Sequence, residues 1–293
     1  MIFPQQGRVL YKGEANAGPS PRIWGEPEIA RACSDPAFGY HFWDDFTTFP
    51  LWAGTTQAGT GSYKAFSSTG GFVVDAGIAG GVLKLGADNA DEGAALGGAA
   101  FPFRIQGCAA GAVNYGKKMA FEARVKASSV AVNQFDWFVG LMDTATLGAA
   151  LPITATQGTL ASEILVGFLA NSTAAGRMDT MYANATTPAA IKASALAAAA
   201  STSNRGDTIP AFALDTWFNL GILYDPFQVN SNSDNMGLYV NGLLLNEGLT
   251  NAEIAALTSF AAAFLAPVIG ATNVANDGVG ITYIDWWKGA QLR

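Results

Sequence analysis

Residues 237–245 read Gly-Leu-Tyr-Val-Asn-Gly-Leu-Leu-Leu, two apolar runs joined by Asn241-Gly242. Asn-Gly suits a two-residue turn with positive φ at both positions, and that turn matches the twist of two paired antiparallel strands. The segment commits the chain to at least one β-hairpin, and other stretches extend the pattern. Residues 119–126 (MAFEARVK) alternate, with Met119, Phe121, Ala123 and Val125 on one face and Ala120, Glu122, Arg124 and Lys126 on the other. The spacing predicts a half-buried antiparallel strand on which Glu122 belongs to a solvated face. Residues 72–75, 80–85, 135–142, 164–169, 216–225 and 280–288 read as further strands. Short strands separated by turn residues, without strand–helix alternation, predict an all-β sandwich or barrel.

Three regions depart from this pattern. Residues 1–40 hold five of the twelve prolines and no sustained periodicity, which predicts an extended arm ahead of a sandwich spanning 41–293. Apolar residues dotted along the arm (Phe3, Val9, Leu10, Tyr11, Ile23 and Trp24) are the expected interface contacts, with the chain's own domain or with a neighbouring subunit. Insertions are expected near 145–162 and 183–210; in the second, Thr187-Pro188 could open a helix, and a mobile or intersubunit insertion fits equally well. Thr250 and Glu253 form a capping box, with Ile254, Leu257, Phe260 and Phe264 at helical spacing and Pro267 as the stop. They predict one short helix near residues 251–264, not a membrane span, although 254–276 is free of charge.

Composition narrows the function classes. Charged residues make up 13% of the chain, against about 25% in an average soluble protein. The net charge is −7, so nonspecific binding to nucleic acid or an anionic membrane is not expected. Two cysteines, Cys33 and Cys108, cannot build a disulfide scaffold or an all-cysteine zinc site, and free thiols are expected. His41 is the sole histidine, which disfavours Ser–His, Cys–His and multi-histidine metal chemistry; within Tyr40-His-Phe-Trp43 it reads as structural. The N-terminus lacks a basic run followed by an apolar one, so no signal peptide is expected.

Motifs with chemistry are sparse. Residues 111–118 begin like a phosphate-binding loop, but Lys118 stands where Ser or Thr would hold Mg²⁺, and a strand follows where a helix is needed. Asp88, Asn89 and Asp91 could offer oxygen ligands to Ca²⁺, yet a full ligand set is missing and a polar loop is the simpler reading. Glycoside hydrolysis needs two carboxylates across a cleft, and no such pair is legible. No catalytic residue, cofactor or metal site is therefore expected. The seven tryptophans divide between core and surface: Trp286 and Trp287 are adjacent in a strand and so face opposite ways, and Trp217 lies opposite Phe218, Leu220 and Ile222. An outward tryptophan is a core lid, an interface anchor or a sugar-stacking platform.

Several segments together resemble the concanavalin A-like (laminin-G-like) jelly rolls in structural proteins of tailed bacteriophages. They are KKMAFEARVKAS, Phe138–Asp143, Val166–Phe168, Trp217–Asp225, Leu238–Gly242 and Tyr283–Trp286. The resemblance covers roughly residues 117–293 and implies a concanavalin A-like jelly-roll β-sandwich without catalytic residues. It also implies a capsid-decorating or cement protein of the virion surface, partnered by the major capsid protein and by copies of itself in a homotrimer. The alternative is a glycan-binding, lectin-like module of a tail or surface protein, and a divergent glycan hydrolase comes third.

Overall fold

The structure, a computed structural model, describes residues 18–47, 56–57, 63–67, 71–75, 81–86, 93–98, 100, 102–105, 117–129, 131, 135–147, 149–154, 156, 158–173, 175–185, 188–196, 201–202, 208–209, 211–227, 234–245, 248–257, 263–273 and 280–293. In chain order, α1 (Pro21–Trp24) and α2 (Pro27–Ser34) lead into β1 (Gly39–Asp44), β2 (Thr56–Gln57), β3 (Lys64–Ser67), β4 (Gly71–Asp75), β5 (Val82–Gly86) and β6 (Gly93–Gly97). Next come β7 (Met119–Ala127), β8 (Phe135–Asp143), β9 (Ile164–Ala170), β10 (Met178–Asn184) and β11 (Pro188–Leu196). A small ribbon of β12 (Ser201–Thr202) and β13 (Thr208–Ile209) precedes β14 (Phe218–Tyr224), β15 (Met236–Val240) and β16 (Leu243–Leu244). Then α3 (Asn251–Ala256), β17 (Leu265–Asn273) and β18 (Ile281–Leu292) complete the chain.

The strands form two large antiparallel sheets. The first runs β16-β15-β14-β7-β18-β5-β4, with β1 also paired to β18; the second runs β11-β10-β9-β8-β17-β6-β3-β2. Together they make an all-β sandwich, as the strand pattern predicts. The core lies between them: Phe121, Val125, Phe218, Leu220, Ile222 and Trp287 of the first sheet meet Trp137, Val139, Val166, Phe168 and Ile269 of the second. The Asn-Gly turn sits where expected, with Asn241 at φ 50° and Gly242 at φ 75°, and Val240 pairs with Leu243 across it.

Both outer faces are covered in part as well, which strand alternation alone does not reveal. Leu147, Ile153 and Leu160, from the first expected insertion, pack on Phe138, Met142, Leu165, Leu169 and Val268 of the second sheet's outer side. Residues 18–40 do not run extended. Pro21 and Pro27 each occupy the first turn of a helix, where a missing N–H costs nothing. These helices lay Ile23 and Ile29 on Ala120, Leu223, Tyr239 and Ala290 of the first sheet. Gly221 makes room for them, since a Cβ there would stand 2.5 Å from Ile23 Cδ1. Residues 1–17, with Phe3, Val9, Leu10 and Tyr11, lie outside the described residues.

Two further expectations change. Residues 188–196 form an edge strand, β11, and not a helix; Pro188 is tolerated because it opens that strand, against β10. The capping box of Thr250 and Glu253 is present, but the helix stops at Ala256. Pro267 lies inside β17, paired with Leu141. No helix among the described residues is long and apolar enough to cross a membrane.

Leu160 is sealed between its segment and the second sheet. Truncating it (Leu160→Ala) is expected to cost about 2–5 kcal/mol of unfolding free energy in chemical denaturation. A loss below about 0.5 kcal/mol, the range of surface changes, would show that the 145–162 segment adds no packing.

Candidate functional site

Glu122 is the first departure from the sequence reading: it is fully buried, not solvated. Its strand neighbours on the outer side are covered by α1, so the carboxylate needs partners, and it has three. Ser20 N–H donates at 2.9 Å, Trp24 Nε1–H donates at 2.7 Å, and the Ser20 hydroxyl donates to the other oxygen. Burial raises the Glu122 carboxyl above the usual range, while the Ser20 and Trp24 bonds and the Lys288 charge oppose that rise. Lys288 is itself pulled down by burial, against the pull of Cys33 and Glu122. Lys118, at the end of the phosphate-loop-like stretch, is taken up by Asp225, Glu28 and Glu26 at 2.8, 2.6 and 3.1 Å, and so ties α2 to the sheet. Residues 111–116 of that stretch and the Asp88–Asp91 cluster lie outside the described residues.

A second polar cluster sits at one end of the sandwich. Asp136, fully buried, accepts from the backbone N–H groups of Gly158 and of Ser172, the latter at 2.7 Å. Asn171 donates to Asp179 at 2.9 Å and accepts from Thr173, and Arg177 pairs with Asp179 at 2.9 Å. Burial raises the Asp136 carboxyl, with the two backbone bonds opposing. The carboxylates here are engaged with backbone amides, Asn171 and Arg177, which fixes the loops at 158 and 172. Among the described residues no group of three or more His, Cys, Asp and Glu could hold a metal ion.

The remaining candidate is the half of the first sheet's outer face that lies away from α1 and α2. Trp43 on β1 is 52% exposed, and its ring lies 6.2 Å from that of Trp286, which is 4% exposed. Lys288 stands between two indoles, its Nζ 4.9 Å from the Trp43 centroid and 4.2 Å from that of Trp24. His41, read as structural, is exposed on the same strand. Beside them, Lys84 pairs in register with Tyr283, and Tyr283 with Lys126. Since Phe218 pairs with Val125, Trp217 comes opposite Lys126 at the end of the same row. The row therefore alternates cation and ring: Lys84, Tyr283, Lys126, Trp217. The Nζ–centroid distances are 5.7, 4.6 and 5.2 Å, and the Arg124 guanidinium lies 4.4 Å from Trp217. Arg124 also pairs with Asp285, which sits at the bulge between Ile284 and Trp286.

Of the expected interface residues, Ile23 and Trp24 are in contact with the chain's own sheet, and the other four lie outside the described residues. Trp43 and the row were missed because the outward positions of β1, β5 and β18 become neighbours only through strand pairing. Trp217, already placed outward, was the one signal available.

No family model matches the chain, and no curated protein does. Among solved structures it is similar to the Lotus tetragonolobus seed lectin, with 13% identity and a TM-score of 0.48 over 87% of this chain and 99% of that one. Peanut lectin aligns at 12% identity and a TM-score of 0.47 over 87% of this chain and 98% of that one. A carbohydrate esterase of the Shiga toxin-encoding bacteriophage phi24B aligns at 17% and 0.40 over 78% and 90%. These likenesses concern architecture; what the surface can do follows from its residues.

The buried carboxylate yields a pH prediction. Its raised folded-state pKa means that the Glu122 contribution is full below the ordinary value of about 4.3 and is lost as pH rises through the folded value. Wild-type stability should therefore fall over that window relative to Glu122→Gln, whose amide can keep all three partners because the Ser20 hydroxyl can turn to accept. Glu122→Ala leaves two buried Ser20 donors unpaired, each costing about 1–3 kcal/mol, together with the half-buried Trp24 indole N–H, and should open residues 18–34 to protease. Parallel pH profiles for wild type and Glu122→Gln, or protection of that segment in Glu122→Ala, would contradict the assignment.

Proposed function

We propose that the chain is a non-catalytic glycan-binding module, of the kind carried by a tail or surface protein, which binds saccharide on the outer face of its first sheet. The observation that carries this reading is Trp43, an indole half open to solvent, resting on the buried Trp286 and flanked by Lys288. A saccharide ring has an apolar C–H face and a polar rim. A rigid aromatic plate with hydrogen-bond donors at its edge suits both, at little entropic cost because neighbouring side chains already hold the plate. The absence of catalysis is part of the proposal. Glu122 and Asp136 are sealed under α1 and among backbone amides, positions from which neither could exchange protons with a substrate.

A second reading, decoration or cementing of a phage capsid at the virion surface with the major capsid protein and further copies of the chain as partners, draws on the resemblance of the strand motifs and on the 13% charge content. It predicts attachment to capsid shells where the glycan reading predicts attachment to saccharide.

Binding to a printed array of neutral and acidic glycans tests the reading. Wild-type protein is expected to bind at least one saccharide class, and Trp43→Ala to weaken that binding by about tenfold, the loss of one stacking contact of ~1.4 kcal/mol. Full binding by Trp43→Ala would remove this face from the account. Binding to capsid shells with no saccharide bound would favour the second reading.

A further inference from the structure

The row across the first sheet carries the glycan reading further, and the following rests on that reading. We infer that the saccharide taken by this face is an acidic polysaccharide, one whose sugar rings carry carboxylates. Lys84, Tyr283, Lys126 and Trp217 stand in direct register on four adjacent strand positions, cation and ring in turn. Neighbouring strands lie about 4.8 Å apart, so the row is roughly 14 Å long. A polymer of uronic or sialic acids presents the same alternation in reverse, apolar ring faces for the aromatic rings and carboxylates for the ammonium groups. Lys288 extends the basic character towards Trp43.

The placing of these cations is selective. The chain is net −7 with only 16 Lys and Arg, yet Lys84, Arg124, Lys126 and Lys288 share one face. Arg124 is 3% exposed and is neutralised by Asp285, so the accessible cations of the face are the lysines. Asp215 reaches Lys126 only at 3.7 Å from an exposed turn, a contact that a ligand carboxylate could replace. The overall negative charge keeps nonspecific polyanions away, so binding requires the ring and cation pattern together. Single-stranded nucleic acid is the competing polyanion, and the oligothymidylate titration below separates it from polysaccharide.

Matched polymers separate charge from backbone. Titrations of the full chain are run with polygalacturonate against its methyl ester, and with polysialic acid against its methyl ester, followed by calorimetry in 50 mM and 500 mM salt. At least one acid form is expected to bind tenfold or more tighter than its ester, with affinity falling as salt rises. Lys84→Gln/Lys126→Gln should reduce that preference roughly three- to tenfold, the range for two partly exposed charge contacts. Unchanged near-ultraviolet dichroism would establish that the variant remains folded, and the salt dependence of wild type is an independent check. Equal binding of acid and ester, or affinity insensitive to salt, overturns the acidic class while leaving the glycan reading standing. No binding to any polymer here or on the array overturns both. Tighter binding of an oligothymidylate than of any polysaccharide reassigns the face to nucleic acid.

Discussion

The structure depends on burying strand β7 on both sides. Its inward residues, Met119, Phe121, Ala123 and Val125, form part of the core between the sheets. Its outward residues include Glu122 and Arg124, which cannot be buried without partners except at a cost of several kcal/mol each. The chain resolves this in two ways on one strand. Glu122 receives three donors from Ser20 and Trp24, which brings the N-terminal helices onto the sheet. Arg124 receives Asp285 and the face of Trp217. The first half of the outer face thereby becomes a second packed layer, and the second half remains a surface of rings and cations.

This division explains the sparse charge. A sandwich with both outer faces open would need polar residues at every second strand position. Here the second sheet's outer side lies under Leu147, Ile153 and Leu160, and half of the first sheet's lies under α1 and α2. Few strand positions remain that must meet water. The charges that the chain retains near the first sheet are accordingly concentrated: Lys118 among three carboxylates at one edge, and Lys84, Lys126 and Lys288 beside aromatic rings on the other half of the outer face, with Arg124 buried among them.

Local signals were legible in the sequence wherever a short segment determines its own conformation. The Asn241-Gly242 turn, the Thr250–Glu253 capping box and the strand at 119–126 each depend on residues within a few positions of one another, and each appears in the structure, although that strand is buried on both faces and not half-buried. The misreadings share one cause. Glu122 looks solvated until Ser20, about a hundred positions earlier, is brought beside it; residues 21–34 look extended because proline that starts a helix and proline that prevents one are alike in isolation. The small side chains of 188–196 give no periodicity, so their strand follows only from pairing with β10. The row of Lys84, Tyr283, Lys126 and Trp217 draws on four segments and exists only in the register of the sheet.

The most direct measurement of the central claim is the response of the tryptophan indole N–H resonances to a bound saccharide. The rings are distributed so as to locate the ligand: Trp43 and Trp217 are on the open face, whereas Trp137 and Trp287 are sealed in the core. The account predicts that a saccharide selected from the array shifts the Trp43 and Trp217 signals and leaves those of Trp137 and Trp287 in place. Shifts confined to backbone amides around Asn171, Ser172 and Arg177, with the Trp43 and Trp217 indoles unmoved, would place the ligand at the end of the sandwich and contradict it.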